Sequence, residues 1–314
     1  MKSKKILFLL VIISIIFSCN INQEEKSEFS HFSEQFSDLK VLRYQIPGFD
    51  KLTLNQKKFV YYLTEAGLYG RDIMYDQNYR HNLKIRRALE NIYLNFNGNK
   101  NDNQWKSFEI YLKRIWFSNG IHHHYSNDKF DPDFSQEYLK NLMNETNTEL
   151  NNQLFDLIFN DVDPKKVNRD KSKGIIIGSS VNFYDPDITE EEVENFYNNI
   201  KVPDPKKPIS LGLNSKLVRE DGVLKEKVWK KGGMYSESIE KIIENLEIAK
   251  KYAENKKQAD ALGLLIKYYE TGDLKIWDNY NVAWVETTEG DVDYINGFIE
   301  VYNDPKGYRG SYES

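Results

Sequence analysis

Apolar side chains recur at helical spacing over much of the chain from residue 53 onward. Phe59, Leu63 and Ala66 follow one another at intervals of four and three residues, so they share one face of a helix that begins at Thr53 or Asn55. This periodicity, together with capping signals, predicts helices over residues 53–69, 83–96, 105–117, 189–200, 236–252 and 257–270, with one or two more over 138–159.

The second half of the chain mixes such helices with segments that are typical of strands. The β-branched and alternating patterns predict strands over residues 174–184, 209–218, 223–229, 281–286 and 294–302. Asp221 and Gly222 separate two of them and tolerate the positive φ of a tight turn, so a hairpin is expected there. We therefore expect an α+β fold, mainly helical over 31–173 and with strands plus helices over 174–314, in which the strands form a small antiparallel sheet or barrel.

The N-terminus has the pattern of an export signal. Lysines in residues 1–5 precede an apolar run over 6–17. That run is shorter than the ~20 residues of a membrane span but has the length of a signal-peptide core. The following Ile-Phe-Ser-Cys sequence resembles a bacterial lipobox, which implies cleavage before Cys19 and lipidation of that residue. A plain signal peptide with an incidental cysteine is the alternative.

These features predict a signal peptide over 1–18 and a lipidated Cys19 followed by a flexible tether over 19–30. The protein is accordingly expected to be an exported cell-envelope lipoprotein that is anchored to a membrane through Cys19. The chain has one cysteine, so no internal disulfide is possible.

The composition excludes some classes of partner. Across 314 residues the formal net charge is −5, and a nucleic-acid-binding protein would carry a basic patch and a clear positive excess. Hydrophobic residues make up 40% and charged residues 29%, as in a globular protein. We therefore expect no nucleic-acid partner.

Three consecutive histidines, His122, His123 and His124, form a first candidate site. Imidazole is a common transition-metal ligand, but three successive histidines cannot all face one ion. On a strand, the first and third would share one face. A hydrogen-bonded turn packed against aromatic rings, or a surface that faces a substrate, explains the cluster more simply than a metal site. The chain lacks the zincin, nucleophile-elbow and Walker A motifs.

Glu300 and Tyr302 form a second candidate site. They are two residues apart in a strand-like segment, so both side chains would leave from one face. A carboxylate beside a phenol can hold an amine through charge-assisted hydrogen bonds. The spacing alone favours a solvated strand face.

The same segment resembles a known family. Residues 297–305, Gly-Phe-Ile-Glu-Val-Tyr-Asn-Asp-Pro, are similar to the Gly-Phe-Ile-Glu-x-Tyr-x-Asp-Pro segment of the dipeptidyl peptidase III family. Residues 44–49, 70–73, 117–125 and 235–277 also resemble that family, and the triple histidine resembles its bacterial, Bacteroidetes-type branch. The resemblance covers most of residues 40–314.

The resemblance implies a zinc-dependent exopeptidase that removes dipeptides from the free N-terminus of short peptides. Its fold is expected to have two lobes around a cleft, a helical lobe that carries the zinc and a lobe with helices and a β-barrel. By position, Glu300 is expected to bind the terminal amine of the peptide, and Tyr302 to assist in substrate binding.

One departure from the family bears on activity. The zinc motif of the family, His-Glu-x-x-Gly-His, lies downstream of the Glu-x-Tyr segment, and it does not occur in these 314 residues. We therefore expect an N-terminal fragment that corresponds to the barrel lobe, over 31–314, and lacks the zinc-bearing lobe. It is expected to contain no catalytic residue and no metal ligand, and to be inactive alone, with zinc bound only in the complete protein.

Two other functions remain open. The chain could be a peptide-binding lipoprotein without catalysis, or a surface lipoprotein that binds a metal ion through His122 and His124.

Overall fold

A computed structural model of the chain describes residues 29–160, 163, 165–202, 204 and 206–314. The predicted signal peptide, Cys19 and the tether up to residue 28 lie outside these residues. The chain divides into two compact units, Met1–Pro47 and Gly48–Ser314. Within the described ranges, none of the helices combines the length and the apolar character that crossing a membrane requires.

The described part of the first unit contains a small hairpin. Strand β1 (Phe32–Phe36) pairs antiparallel with β2 (Leu39–Leu42), and Ser37 in the turn has a φ of 49°. The sequence patterns above do not predict this hairpin, because its strands are short and its side chains are mostly exposed.

Helices dominate the second unit. In the described residues they are α1 (Leu54–Tyr69), α2 (Arg71–Asn78), α3 (Asn82–Asn95), α4 (Asn103–Ser118), α5 (Gln136–Glu145), α6 (Asn152–Phe159), α7 (Glu190–Asn198), α8 (Ser236–Lys250), α9 (Lys256–Thr271) and α10 (Leu274–Val285). Each helix predicted from periodicity is confirmed, and the segment 138–159 forms two helices. The helices α2 and α10 were not predicted.

Side-chain caps fix several helix starts. The Thr53 side chain accepts a hydrogen bond from the Gln56 backbone N–H, and the Gln56 side chain accepts one from the Thr53 N–H. Thr189 and Glu192 form the same reciprocal pair at α7, as predicted. Asn255 caps α9. These pairs satisfy backbone groups that would otherwise lack partners at the first turn.

The predicted hairpin around Asp221 and Gly222 is confirmed in a shorter form. Strand β3 (Ser215–Glu220) pairs antiparallel with β4 (Val223–Val228), and the two turn residues have φ values of 52° and 78°. Positive φ at both central residues defines the tight turn that matches strand twist. Two further strands, β5 (Gly297–Phe298) and β6 (Tyr312–Glu313), form a two-residue pair.

The predicted strand over 174–184 is wrong. The Gly178 N–H donates to the Gly174 carbonyl and the Ser179 N–H to the Ile176 carbonyl, so residues 174–179 form turns. Beyond them, the N–H groups of Ser180 and Val181 donate to the Lys166 carbonyl, and Tyr184 makes an isolated bridge to Leu217. The β-branched residues of this segment are nevertheless buried, since Ile176 and Val181 both lie in a hydrophobic core. Burial without a strand therefore produced the same sequence pattern.

The predicted strand over 281–286 is also wrong, because these residues belong mainly to α10. The buried side chains of that helix are Trp277 and Tyr280, three residues apart, whereas Val282 and Val285 are exposed. The apparent alternation therefore came from surface residues. The predicted barrel is not confirmed: the strands of the described residues form three separate two-stranded pairs.

Two hydrophobic cores fill the second unit. In the first, α1 packs against α8, and α9 packs against α8 and α10 around the fully buried Trp229 and Tyr268. The second core joins α3, α4, α5 and α6 around Trp105 and Phe108. Burying such large aromatic side chains supplies much of the driving force for folding.

Candidate substrate-binding site

A groove of about 400 Å³ brings the two predicted site clusters together. Three segments line it: residues 124–127 from the histidine loop, 166–169, and 300–303. Its volume lies within the usual range of small-molecule sites. A larger surface depression, of about 920 Å³, lies beside Arg87 and Asn151 and contains no predicted site residue. We therefore regard the smaller groove as the candidate site.

The strand predicted over 294–302 is confirmed only at Gly297 and Phe298, and the rest of that segment is not a strand. Strand β5 ends at Phe298, although backbone pairing continues as far as Glu300, whose carbonyl accepts from the Ser311 N–H at 2.8 Å. Tyr302 lies in the turn that follows. The two residues therefore do not share a strand face, yet both line the groove.

The carboxylate of Glu300 is available to a ligand. It makes no hydrogen bond or ion pair within the described part of the chain, and it lines the groove at an exposed position. The neighbouring Glu313 accepts a hydrogen bond from the Glu300 backbone N–H at 3.2 Å. Burial, and then the charge of Glu300, raise the pKa of Glu313. A cation bound between them would relieve this repulsion.

A buried polar network holds the loop that follows Glu300. Asp304, which is 2% exposed, accepts hydrogen bonds from the Tyr184 hydroxyl at 2.9 Å and from the backbone N–H groups of Tyr308 and Arg309. The fully buried Arg309 guanidinium donates to the Tyr184 hydroxyl and lies 4.3 Å from the centre of its ring. This network fixes the turn that carries Tyr302.

Helix α2 holds the other end of the same segment. Its buried Gln77 donates to the Gly310 carbonyl at 3.2 Å and accepts from the Tyr312 N–H at 2.8 Å. A single side chain thereby bonds the backbone on both sides of Ser311, the residue that pairs with Glu300. The backbone at Glu300 consequently has little freedom to move. This limits the conformational entropy that the protein loses when Glu300 binds a ligand.

The histidine loop is a turn rather than a strand. His122 pairs with Lys129 at its base, and the rings of His123 and His124 stack at 5.0 Å. The structure therefore confirms the alternative of a hydrogen-bonded turn packed against aromatic rings. His122 is buried edge-on against the Tyr79 ring, and burial with nearby lysines lowers its pKa to about 4. Only His124 of the three lines the groove.

No zinc site is formed within the residues that the structure describes. In those ranges no three His, Cys, Asp or Glu side chains are grouped so that they could hold a metal ion. The described residues therefore do not fit the zinc ion that the family resemblance implies.

Several groove residues were not predicted from the sequence. The Asn127 side chain donates to the Val167 carbonyl at 2.8 Å and accepts from the Val167 N–H, so it links segments 124–127 and 166–169 of the groove. Arg169 donates to the Tyr302 carbonyl at 3.2 Å and links segment 166–169 to segment 300–303. Lys166 also lines the groove. Residues 165–169 carry no periodicity or motif, so no local signal marks them.

Comparison with known proteins gives one consistent family. The family model described as Peptidase family M49 matches residues 211–314. Dipeptidyl peptidase 3 of Dictyostelium discoideum is 22% identical over 295 residues, 85% of this chain and 42% of that protein. Dipeptidyl peptidase 3 of Homo sapiens is 35% identical over 81 residues, 26% of this chain and 11% of that protein.

Solved structures show the same fold. Dipeptidyl-peptidase III from Corallococcus sp. strain EGB has a TM-score of 0.58 at 15% identity, with 85% of this chain and 39% of that chain covered. DPP III from Caldithrix abyssi has a TM-score of 0.55 at 20% identity, with 84% and 39% covered. Together these matches support membership of the dipeptidyl peptidase III family, peptidase family M49. It spans less than half the length of these relatives.

Proposed function

We propose that this chain binds short peptides by their free N-terminal ammonium group and supplies that binding surface to a zinc-dependent dipeptidyl peptidase. The observation that carries the proposal is the unpaired carboxylate of Glu300 in a groove of about 400 Å³. An exopeptidase must recognise the free terminus, and the terminus is a cation near neutral pH. A carboxylate on an immobilised backbone recognises it with little reorganisation.

Tyr302 adds a second contact. Its side chain is 71% exposed and lines the same groove, so its ring and hydroxyl are both accessible to a peptide. A ring face attracts an ammonium ion, and the hydroxyl can bond to the first peptide group. Loss of the hydroxyl alone should cost less than loss of the Glu300 charge, because charged hydrogen bonds are stronger.

The hydrolytic step is not assigned to residues of this chain. The family resemblance places the zinc ligands in a His-Glu-x-x-Gly-His motif, which is absent from the 314 residues. Zinc-bound water is the nucleophile that such a motif supplies. We assign residues 31–314 to the lobe that binds the peptide amine, and the barrel that the resemblance implies for this lobe remains part of the proposal.

The test is a calorimetric titration with Ala-Ala-Ala amide and its N-acetyl derivative, both of which lack a carboxylate. Wild type should bind the free-amine peptide at least tenfold more tightly, since a lost charged hydrogen bond costs about 1.5–3 kcal/mol. Glu300→Gln should abolish that preference, and Tyr302→Phe should reduce it less. Glu247→Gln, an exposed carboxylate on α8, is the matched control.

Equal binding of the two peptides by wild type would contradict the proposal. So would a preference for the free amine that survives in Glu300→Gln.

The lipid anchor also belongs to the proposal. Cys19→Ser should release the protein from membranes, and unchanged membrane retention of this variant would argue against the anchor.

A further inference from the structure

Lys166 is a buried cation in the wall of the groove. The residue is 5% exposed, and in the described part of the chain its ammonium group has no hydrogen-bond or ion-pair partner. Lysine is rarely buried unless it is paired, because removing the charge from water is costly. Burial alone lowers its pKa to about 8.

Other lysines with low exposure differ in this respect. Lys129, Lys216 and Lys306 each have side chains that are at most 16% exposed, and each reaches a carboxylate within 3.0 Å. The fold thus supplies a partner to these buried lysines and leaves Lys166 without one at the groove. A site that holds an unpaired cation in this way is prepared for an anion from outside the chain.

The backbone of Lys166 is held on both sides. Its carbonyl accepts hydrogen bonds from the N–H groups of Ser180 at 3.2 Å and Val181 at 3.0 Å. The next residue, Val167, exchanges two hydrogen bonds with the Asn127 side chain. The backbone that carries the cation is therefore held in place, so binding a ligand costs little backbone entropy.

The same groove contains Glu300, with which Lys166 forms no ion pair. A ligand that satisfies both groups carries an ammonium ion at one point and a carboxylate at another, and a short peptide has this pattern of charge. The carboxylate can be the C-terminus of a dipeptide or an acidic side chain near the N-terminus. Both present the same acceptor to an ammonium donor.

We propose that Lys166 is a second recognition point of the groove, which binds a carboxylate of the peptide whose ammonium group is held by Glu300. This inference rests on the proposed function for the identity of the ligand. It adds a substrate class. Dipeptides with a free C-terminus, or peptides with an acidic residue among the first two, bind more tightly than matching peptides without a carboxylate.

The experiment separates the two charges of the ligand. The 314-residue chain is titrated at pH 7 with Ala-Ala, Ala-Ala amide, N-acetyl-Ala-Ala and N-acetyl-Ala-Ala amide. The carboxylate forms should bind about tenfold or more tightly than the matching amides, as expected for one charged hydrogen bond. Asp-Ala amide and Ala-Asp amide, compared with Ala-Ala amide, show whether an acidic side chain can supply the carboxylate.

Variants assign the effect to Lys166. Lys166→Met and Lys166→Gln should each remove the carboxylate advantage, measured within each variant as the ratio of the affinities for Ala-Ala and Ala-Ala amide. Lys165→Met removes the same charge from the adjacent exposed residue and should keep the advantage. Using two replacements, one apolar and one polar, separates loss of the charge from a local change in packing.

The outcomes distinguish this inference from the proposed function. If no carboxylate ligand binds more tightly than its amide, or if the advantage persists in Lys166→Met, the inference is overturned even where the free amine is still preferred. If acetylation has no effect but the carboxylate advantage depends on Lys166, the amine role of Glu300 is wrong and the carboxylate site stands.

Discussion

Lys166 is a residue at which burial and charge oppose each other. Its folded-state pKa of about 8 lies below its usual 10.5, so below pH 8 the ammonium form carries an uncompensated cost in the native state. Between pH 8 and about 10.5 the native state loses the proton first, and stability rises. The neighbouring His122 and His124 have lowered pKa values, so they are neutral over this range.

Lys166→Met should therefore stabilise the protein at pH 7, by about 1–3 kcal/mol of unfolding free energy. Thermal unfolding at pH 7 and at pH 10.5 measures this, and the gain should shrink at the higher pH. Lys165→Met, at an exposed position, should change little. A lower melting temperature for Lys166→Met at pH 7 would mean that Lys166 contributes to the native packing rather than being held there at a cost.

At the same scale, the sequence identified only part of the site. The amine-binding role expected for Glu300 and Tyr302 came from the family resemblance, since their spacing alone favoured a solvated strand face. Lys166 and Arg169 carry no local signal, because their places in the groove depend on hydrogen bonds to residues far along the chain. Such long-range contacts are not encoded in any short window of sequence.

At the scale of elements, the pairing of β5 with β6 positions Glu300. A Cβ atom at Gly310 would lie 2.6 Å from the backbone carbon of Phe298, closer than any real contact, so Gly310→Ala must push the two segments apart. We expect a loss of about 1–3 kcal/mol in stability, together with weaker peptide binding. Chemical denaturation and the tripeptide titration measure these two effects.

Gly263→Ala is the matched control for Gly310→Ala. Gly263 lies within α9, where the nearest atom to a new Cβ is the flexible end of Lys250 at 3.3 Å. Alanine should stabilise this helix by about 0.5–1 kcal/mol. Unchanged stability of Gly310→Ala would show that the paired segments can separate freely, contrary to the rigid support described for Glu300.

Helices were predicted more reliably than strands, for a physical reason. Amphipathic helices such as α1 and α8 have local periodicity and local caps, so a single stretch of sequence specifies them. The runs over 174–184 and 281–286 are short and apolar, and such runs do not distinguish a strand from buried turns or from a helix. Only the hairpin at Asp221 and Gly222 had turn chemistry that decided the outcome.

At the scale of the whole molecule, binding and hydrolysis should be separable. The 314-residue chain should not hydrolyse dipeptidyl arylamides, with or without added zinc, because it lacks the family motif that would lower the pKa of a bound water to about 7. Release of the arylamine is the measurement. Turnover that a chelator abolishes, in a preparation of this chain alone, would show that other residues supply the metal site.

The most direct test of the account is a crystal structure of the chain with Ala-Ala-Ala amide bound. The N-terminal ammonium should lie in the groove beside residues 300–303, with its nitrogen about 2.8 Å from a carboxylate oxygen of Glu300. A peptide bound in the opposite direction, or with its ammonium group away from Glu300, would contradict the account.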